Sequence, residues 1–133
     1  MFTLEPKSIA LIGASAEEKK LGNYILKNLI GSTYKGKIFP VNPKHDELLG
    51  LPCFHSIADI KESIDLAVIV TPAGTVTALA EECGKKKVKT LVVISAGFGE
   101  TGTDEGRTNE RKLLTIAEEY DMRIVGPNCL GLL

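Results

Sequence analysis

Hydrophobic residues along this chain fall into short continuous runs, separated by longer stretches where they recur at every third or fourth position. The runs occupy residues 9–12 (Ile9-Ala10-Leu11-Ile12), 37–41, 65–70, 90–94 and 122–125. Runs of this length, bounded by Gly, Pro or Asn, suit strands buried on both faces of a parallel sheet. The intervening stretches carry a helical period. Residues 23–30 set Ile25, Leu26, Leu29 and Ile30 on one face. Residues 74–87 do the same with Val76, Leu79, Ala80 and Cys83, and residues 108–120 with Leu113, Leu114 and Ala117. Between the second and third runs the pattern is less regular, with a turn at Gly50-Leu51-Pro52 and a short helix through Ile60 that Ser56 is placed to cap. The glycine-rich stretch 95–106 reads as a loop. Strand and helix alternate throughout. The expected fold is therefore α/β: a Rossmann-like, doubly wound, mainly parallel sheet with right-handed crossovers and helices on both faces.

In such sheets a ligand lies across the carboxyl ends of the strands, where strand order reverses. The tips here are Gly13-Ala14-Ser15, Asn42-Pro43-Lys44, Thr71-Pro72-Ala73, Ser95-Ala96-Gly97-Phe98 and Gly126-Pro127-Asn128. Gly and Pro are what any turn uses, so one such tip needs no ligand to explain it. Five together point to a binding edge. The first tip lacks bulk and precedes a helix, so backbone N–H groups and the helix dipole favour an anion there. It departs from the dinucleotide fingerprint: Ser15 stands at the second glycine, and Glu17-Glu18-Lys19-Lys20 intervene before Leu21-Gly22. At the second tip an NAD site offers an acidic residue to a ribose hydroxyl. This chain offers Lys44, which suits a phosphate on the ribose, as in NADP or in coenzyme A, and which is otherwise an ordinary solvated lysine.

Composition narrows the choice. The 133 residues are 44% hydrophobic and 25% charged, enough for one domain with its own core. A net charge of −1 and the absence of Trp argue against nucleic acid and against an anionic membrane as partners. Cys53, Cys83 and Cys129 are odd in number and widely spaced, which fits reduced thiols rather than disulfides or a metal site. No stretch has the length of a membrane span or the form of a signal peptide, and a cytoplasmic location is expected. His45 and His55 lie in loops without an evident acid–base partner, so neither reads as catalytic.

Five segments, GAS at 13–15, VNPK at 41–44, DLAVIVTPA at 65–73, VVISAGFGE at 92–100 and MRIVGPNCLG at 122–131, resemble the N-terminal CoA-binding domain of NDP-forming acyl-CoA synthetases. The likeness is nearest to the ADP-forming acetyl-CoA synthetase branch and more distant to the α subunit of succinyl-CoA synthetase. It covers nearly the whole chain.

The resemblance implies coenzyme A as a ligand and substrate rather than a tightly bound cofactor. Gly13, Ala14 and Ser15, with Lys20 and Gly22, would receive the diphosphate. Lys44 would pair with the 3′-phosphate, and Val41, Asn42 and Pro43 would form the wall beside the adenosine. Thr71, Pro72 and Ala73 would border the nucleotide. Ile94, Ser95 and Ala96, with Gly97, would follow the pantetheine. Ser95-Ala96 replaces a Thr-Glu pair of the succinyl-CoA synthetase α subunit, so no carboxylate role carries over to position 96. Asn128 would open a helix directed, in the family, at a phosphohistidine, and Cys129 beside it reads as structural.

The family's catalytic histidine lies in a later domain, which neither His45 nor His55 matches. No catalytic residue and no metal site are therefore expected here, and the implied partners are downstream phosphohistidine and ATP-grasp domains or subunits. The run of sequence ends a few residues past the last strand, which leads to the expectation of one domain from a longer multidomain polypeptide. Two alternatives stand beside this reading: a CoA-binding regulatory module of a protein acetyltransferase, and an NADP-binding oxidoreductase fragment.

Overall fold

The structure is a computed structural model that describes residues 6–94 and 104–125. In chain order its elements are β1 (Ser8–Ile12), α1 (Leu21–Gly31), β2 (Lys37–Val41), β3 (Glu47–Leu48), β4 (Leu51–Pro52), a single 3₁₀ turn (Ile57–Asp59), β5 (Leu66–Ile69), α2 (Ala73–Lys85), β6 (Thr90–Val93), α3 (Asp104–Glu119) and β7 (Arg123–Val125). The five long runs form one parallel sheet in the order β2-β1-β5-β6-β7. The chain steps outward from β1 to β2, then crosses back over β1 to β5. Strand order therefore reverses between β1 and β5, which opens a crevice at their carboxyl ends.

Side chains alternate across the sheet, and both faces are apolar, as the unbroken runs require. Ile9 and Leu11 of β1 and Val68 of β5 pack with Leu26 of α1. Ala10, Ile12, Ala67, Ile69, Leu91 and Val93 face the other way, against Val76, Ala80 and Cys83 of α2 and Leu113 and Ala117 of α3. The fold is thus the expected doubly wound α/β sheet with helices on both sides.

β2 is an edge strand, which is where Pro40 is tolerated. Its outer edge is met by the segment around Phe54: the Phe54 N–H donates to the Pro40 carbonyl at 2.9 Å, and the Asn42 N–H donates to the Phe54 carbonyl at 2.8 Å. The Phe54 ring packs edge-on against Phe39, centroids 5.8 Å apart. This contact folds the connection between β2 and β5 back over the carboxyl end of the sheet.

Within that connection the turn differs from the expected Gly50-Leu51-Pro52. β3 and β4 form a two-stranded antiparallel ribbon. Its turn is Leu49-Gly50, with φ of 49° and 86°, and Leu51 and Pro52 are its second strand. A pair of left-handed residues is what a two-residue hairpin of matching twist needs.

α3 begins at Asp104, four residues before the expected start, so residues 104–106 are helix rather than loop. Asp104 and Glu105 in its first turn suit the positive end of the helix dipole, and Arg107 closes onto Asp104 at 2.7 Å. Gly106, which suggested a loop, is buried inside the helix.

Both α2 and α3 stop at a left-handed residue, Lys87 (φ 67°) and Asp121 (φ 56°). In each case the next N–H reaches back six residues' span: Val88 donates to Cys83 at 3.0 Å, and Met122 to Ala117 at 2.8 Å. These are Schellman closures with a side chain where glycine is usual. Lys87 ends α2 two residues short of the expected boundary for that reason.

Candidate functional site

A cleft of about 1080 Å³ opens at the carboxyl ends of β1, β2 and β5. Its floor is the turn after β1. Gly13 has φ of 101°, and a Cβ there would lie 2.8 Å from the Val70 side chain and 3.0 Å from that of Thr71. Only glycine lets the turn sit this close to the end of β5. Gly22, in the first turn of α1, packs directly on the Gly13 carbonyl, and any side chain there would collide with that backbone. The helix therefore starts immediately behind the turn.

Two asparagines hold the turn in shape. Asn42 Nδ2 donates to the Ala14 carbonyl at 2.8 Å, and the fully buried Asn23 donates through Nδ2 to the Ser15 carbonyl at 3.0 Å. With these carbonyls engaged by the scaffold, the N–H groups of Ser15 and Ala16, past the buried Ala14, form no hydrogen bond among the described residues. Ser15 Oγ accepts from the Glu17 N–H at 3.0 Å, and the Lys20 N–H donates to the Glu17 carbonyl at 3.0 Å. Lys20 takes the N-cap position of α1 without a side-chain cap, and no acidic residue occupies the first turn. Successive free N–H groups leading into an uncapped helix start make a cradle for an anion.

The end of β2 supplies one wall. Asn42 Oδ1 accepts the Lys44 N–H at 2.8 Å, an Asx turn that carries the chain past Pro43 and puts Lys44 at the exposed mouth of the cleft. The Asn42 carbonyl accepts from the His45 N–H at 3.3 Å. The end of β5 supplies the opposite wall. There Val70 donates to the Ile12 carbonyl at 3.0 Å, and the Thr75 hydroxyl donates to the Pro72 carbonyl at 2.6 Å, which ties the start of α2 to its strand. α2 also has no acidic residue in its first turn.

The folded-back connection closes the cleft beside the β2 tip. Ser56 caps the 3₁₀ turn as expected, accepting the Ala58 N–H at 3.2 Å, and its hydroxyl donates to Glu82 of α2 at 3.3 Å. The Cys53 N–H donates to the Asp46 carbonyl at 2.9 Å, which brings His55 beside Asp46, with Nε2 and Oδ1 2.8 Å apart. His45 and His55 both line the cleft.

Gly13, Ala14, Ser15, Lys20, Gly22, Val41, Asn42, Pro43, Lys44, Thr71 and Pro72, singled out from sequence, all line this one cleft. Ala73 opens α2. Ile94 does not line it: its N–H continues the ladder to the Ile69 carbonyl at 2.9 Å, and its side chain packs with the cluster on the α1 side. Ser95, Ala96, Gly97, Asn128 and Cys129 lie outside the described residues.

Nothing in the sequence marks His55, Ser56, Leu79 and Glu82 as lining the same cleft. The histidines are expected to lack an acid–base partner, whereas His55 has Asp46. Only the hairpin brings those two together, and strands of two residues carry no periodic signal.

The two described cysteines are not nucleophiles. Burial pushes the Cys53 thiol up, and burial together with the charge of Glu82 pushes Cys83 up to about 12. Among the described residues no group of three His, Cys, Asp or Glu side chains is placed to hold a metal, and no helix is long and apolar enough to cross a membrane. The arrangement brings a turn with free N–H groups and a lysine at a strand tip to one cleft.

Comparison with known proteins agrees with this geometry. The family described as a CoA binding domain matches residues 7–133. An ADP-forming acetate–CoA ligase of Methanocaldococcus jannaschii is 52% identical over 128 residues, covering 96% of this chain and 18% of that protein. The α subunit of the ADP-forming acetate–CoA ligase II of Pyrococcus furiosus is 46% identical over 133 residues, covering 99% of this chain and 28% of the subunit. The apo structure of an acetyl-coenzyme A synthetase from Ca. Korarchaeum cryptofilum superposes with a TM-score of 0.88 at 42% identity, covering 92% of this chain and 26% of that one. The chain thus spans between 18% and 28% of the length of these relatives.

Proposed function

This chain belongs to the CoA-binding domain family, and from that premise we propose that its cleft holds coenzyme A as the CoA-binding domain of an ADP-forming acyl-CoA synthetase. The whole enzyme would interconvert acyl-CoA, ADP and phosphate with the carboxylic acid, CoA and ATP. The observation that carries the reading is the bond from Asn42 to Ala14. It ties the Lys44 tip to the turn, so two features suited to an anion line one cleft. Coenzyme A carries two such anions, a diphosphate and a 3′-phosphate on the ribose. The turn with Lys20 and Gly22 would take the first and Lys44 the second. Val41 and Pro43 would flank the adenosine, and Thr71, Pro72 and Ala73 would border it.

No described side chain supplies a phosphoryl acceptor in this reading. That chemistry would belong to phosphohistidine and ATP-grasp domains or subunits, and the present chain would bind CoA without turning it over.

Calorimetric titration at modest salt tests the assignment. At pH 8.5 CoA is expected to bind about tenfold more tightly than dephospho-CoA, and Lys44→Ala to abolish the difference, as for one charge-assisted phosphate contact. Equal affinities in the unmodified protein would remove Lys44 from its role. Binding of NADPH in preference to CoA would overturn the reading as a whole.

A further inference from the structure

His55 stands on the same rim of the cleft as Lys44, and nothing in the function above uses it. The Phe54 backbone pairing with β2 delivers it there, and the Cys53 to Asp46 bond sets it against the Asp46 carboxylate. We propose that His55, oriented by Asp46, is a second phosphate-binding residue beside Lys44, acting through its protonated form. The inference rests on the CoA reading, because it takes the ribose-bound phosphate to lie at the Lys44 tip.

The chemistry follows from the ring's two nitrogens. Nε2 faces Asp46 Oδ1 at 2.8 Å, so in the neutral ring the hydrogen sits on Nε2 and donates to the carboxylate. Nδ1 is then a lone pair, which repels a phosphate oxygen. Protonation turns Nδ1 into a donor while the bond to Asp46 is kept. A phosphate at this rim therefore favours the charged imidazole, and binding draws a proton onto His55.

The other ionisable groups on the elements around His55 are Asp46, Lys44 and His45 from the tip of β2 and Glu82 of α2, which the Ser56 hydroxyl engages. His45 also lines the cleft; its backbone N–H donates to the Asn42 carbonyl, and its ring has no hydrogen-bonded carboxylate among the described residues.

The test is titration of CoA and dephospho-CoA into the unmodified protein and His55→Gln at pH 6 and pH 8.5, with the His55 imidazole followed by NMR. At pH 6, His55→Gln is expected to weaken CoA by about fivefold to tenfold, with less than a twofold change at pH 8.5, as for the loss of one charge-assisted bond. Dephospho-CoA should be insensitive to the substitution, and CoA should raise the pH at which the His55 ring titrates. CoA binding that is equally strong in His55→Gln at pH 6 would overturn the inference and leave the CoA reading standing. An equal loss for dephospho-CoA would also overturn it, since the contact would not be to the 3′-phosphate. Failure of the unmodified protein to bind CoA would overturn both.

Discussion

The side-chain amide of Asn42 joins two strand tips that are 28 residues apart in sequence, donating to Ala14 while its oxygen accepts from Lys44. Ala14 is fully buried, so its carbonyl has no access to solvent if that donor is lost. Asn42→Ala should therefore cost about 1–3 kcal/mol of stability, read as a lower urea midpoint with unchanged slope. It should weaken CoA as well, because the cradle and Lys44 lose their fixed separation. Asn42→Asp should be worse than its size implies, since a carboxylate oxygen would face the Ala14 carbonyl in place of a donor.

Gly22 offers a second, sharper case. A methyl group there would meet the Gly13 carbonyl, which belongs to the backbone and cannot rotate aside. Gly22→Ala should push α1 off the sheet at its first turn, with a loss of about 1–3 kcal/mol, as for overpacking a tight contact. CoA affinity should fall further than stability, because the displaced helix start is part of the cradle. Gly31→Ala, at a position with nothing nearby, is the matched control and should leave binding unchanged.

These two residues show what could be read without a structure. The sheet and its order of elements were legible because five apolar runs alternate with three amphipathic stretches, and burial on both faces leaves little other use for such runs. Gly13 and Gly22 were legible as a turn and a helix contact. Asn42 was legible as part of a tip but not as a clamp, since its partner is distant in sequence and the bond depends on parallel pairing of β1 with β2. The start of α3 was hidden by Gly106, which reads as a loop residue until the helix buries it. His55 was hidden because a hairpin of two-residue strands, turned by Leu49-Gly50, is what carries it to Asp46.

Cys83 gives a pH dependence whose sign can be worked out. Its thiol pKa is raised from 9.0 to about 12 by burial and by Glu82, so the folded state holds the proton more tightly than the unfolded chain. Its contribution to stability is complete below about pH 9 and is lost as pH rises from there toward 12, because the unfolded thiol ionises first. The urea midpoint of the unmodified protein should fall more steeply above pH 9 than that of Cys83→Ala, whose own midpoint is lower at pH 7. Parallel curves for the two proteins would contradict the raised pKa. A thiol reagent at pH 8 should leave Cys83 unmodified until urea is added.

At the end of α2, Lys87 occupies the left-handed position of a Schellman closure, with its N–H donating to the Gly84 carbonyl at 2.9 Å. A side chain in that conformation costs about 1–2 kcal/mol, whereas glycine adopts it freely but loses more entropy on folding, by about 0.5–1 kcal/mol. Lys87→Gly should therefore stabilise the domain by about 0.5–1 kcal/mol, seen as a rise in Tm of a few degrees. The site lies at the opposite end of α2 from Pro72 and the cleft, so CoA affinity should not change. Lys87→Ala separates the conformational effect from removal of a charge near Lys85 and Lys89: it removes the charge but keeps the strained backbone. It should leave Tm close to that of the unmodified protein, and an equal rise in both variants would assign the gain to charge repulsion instead.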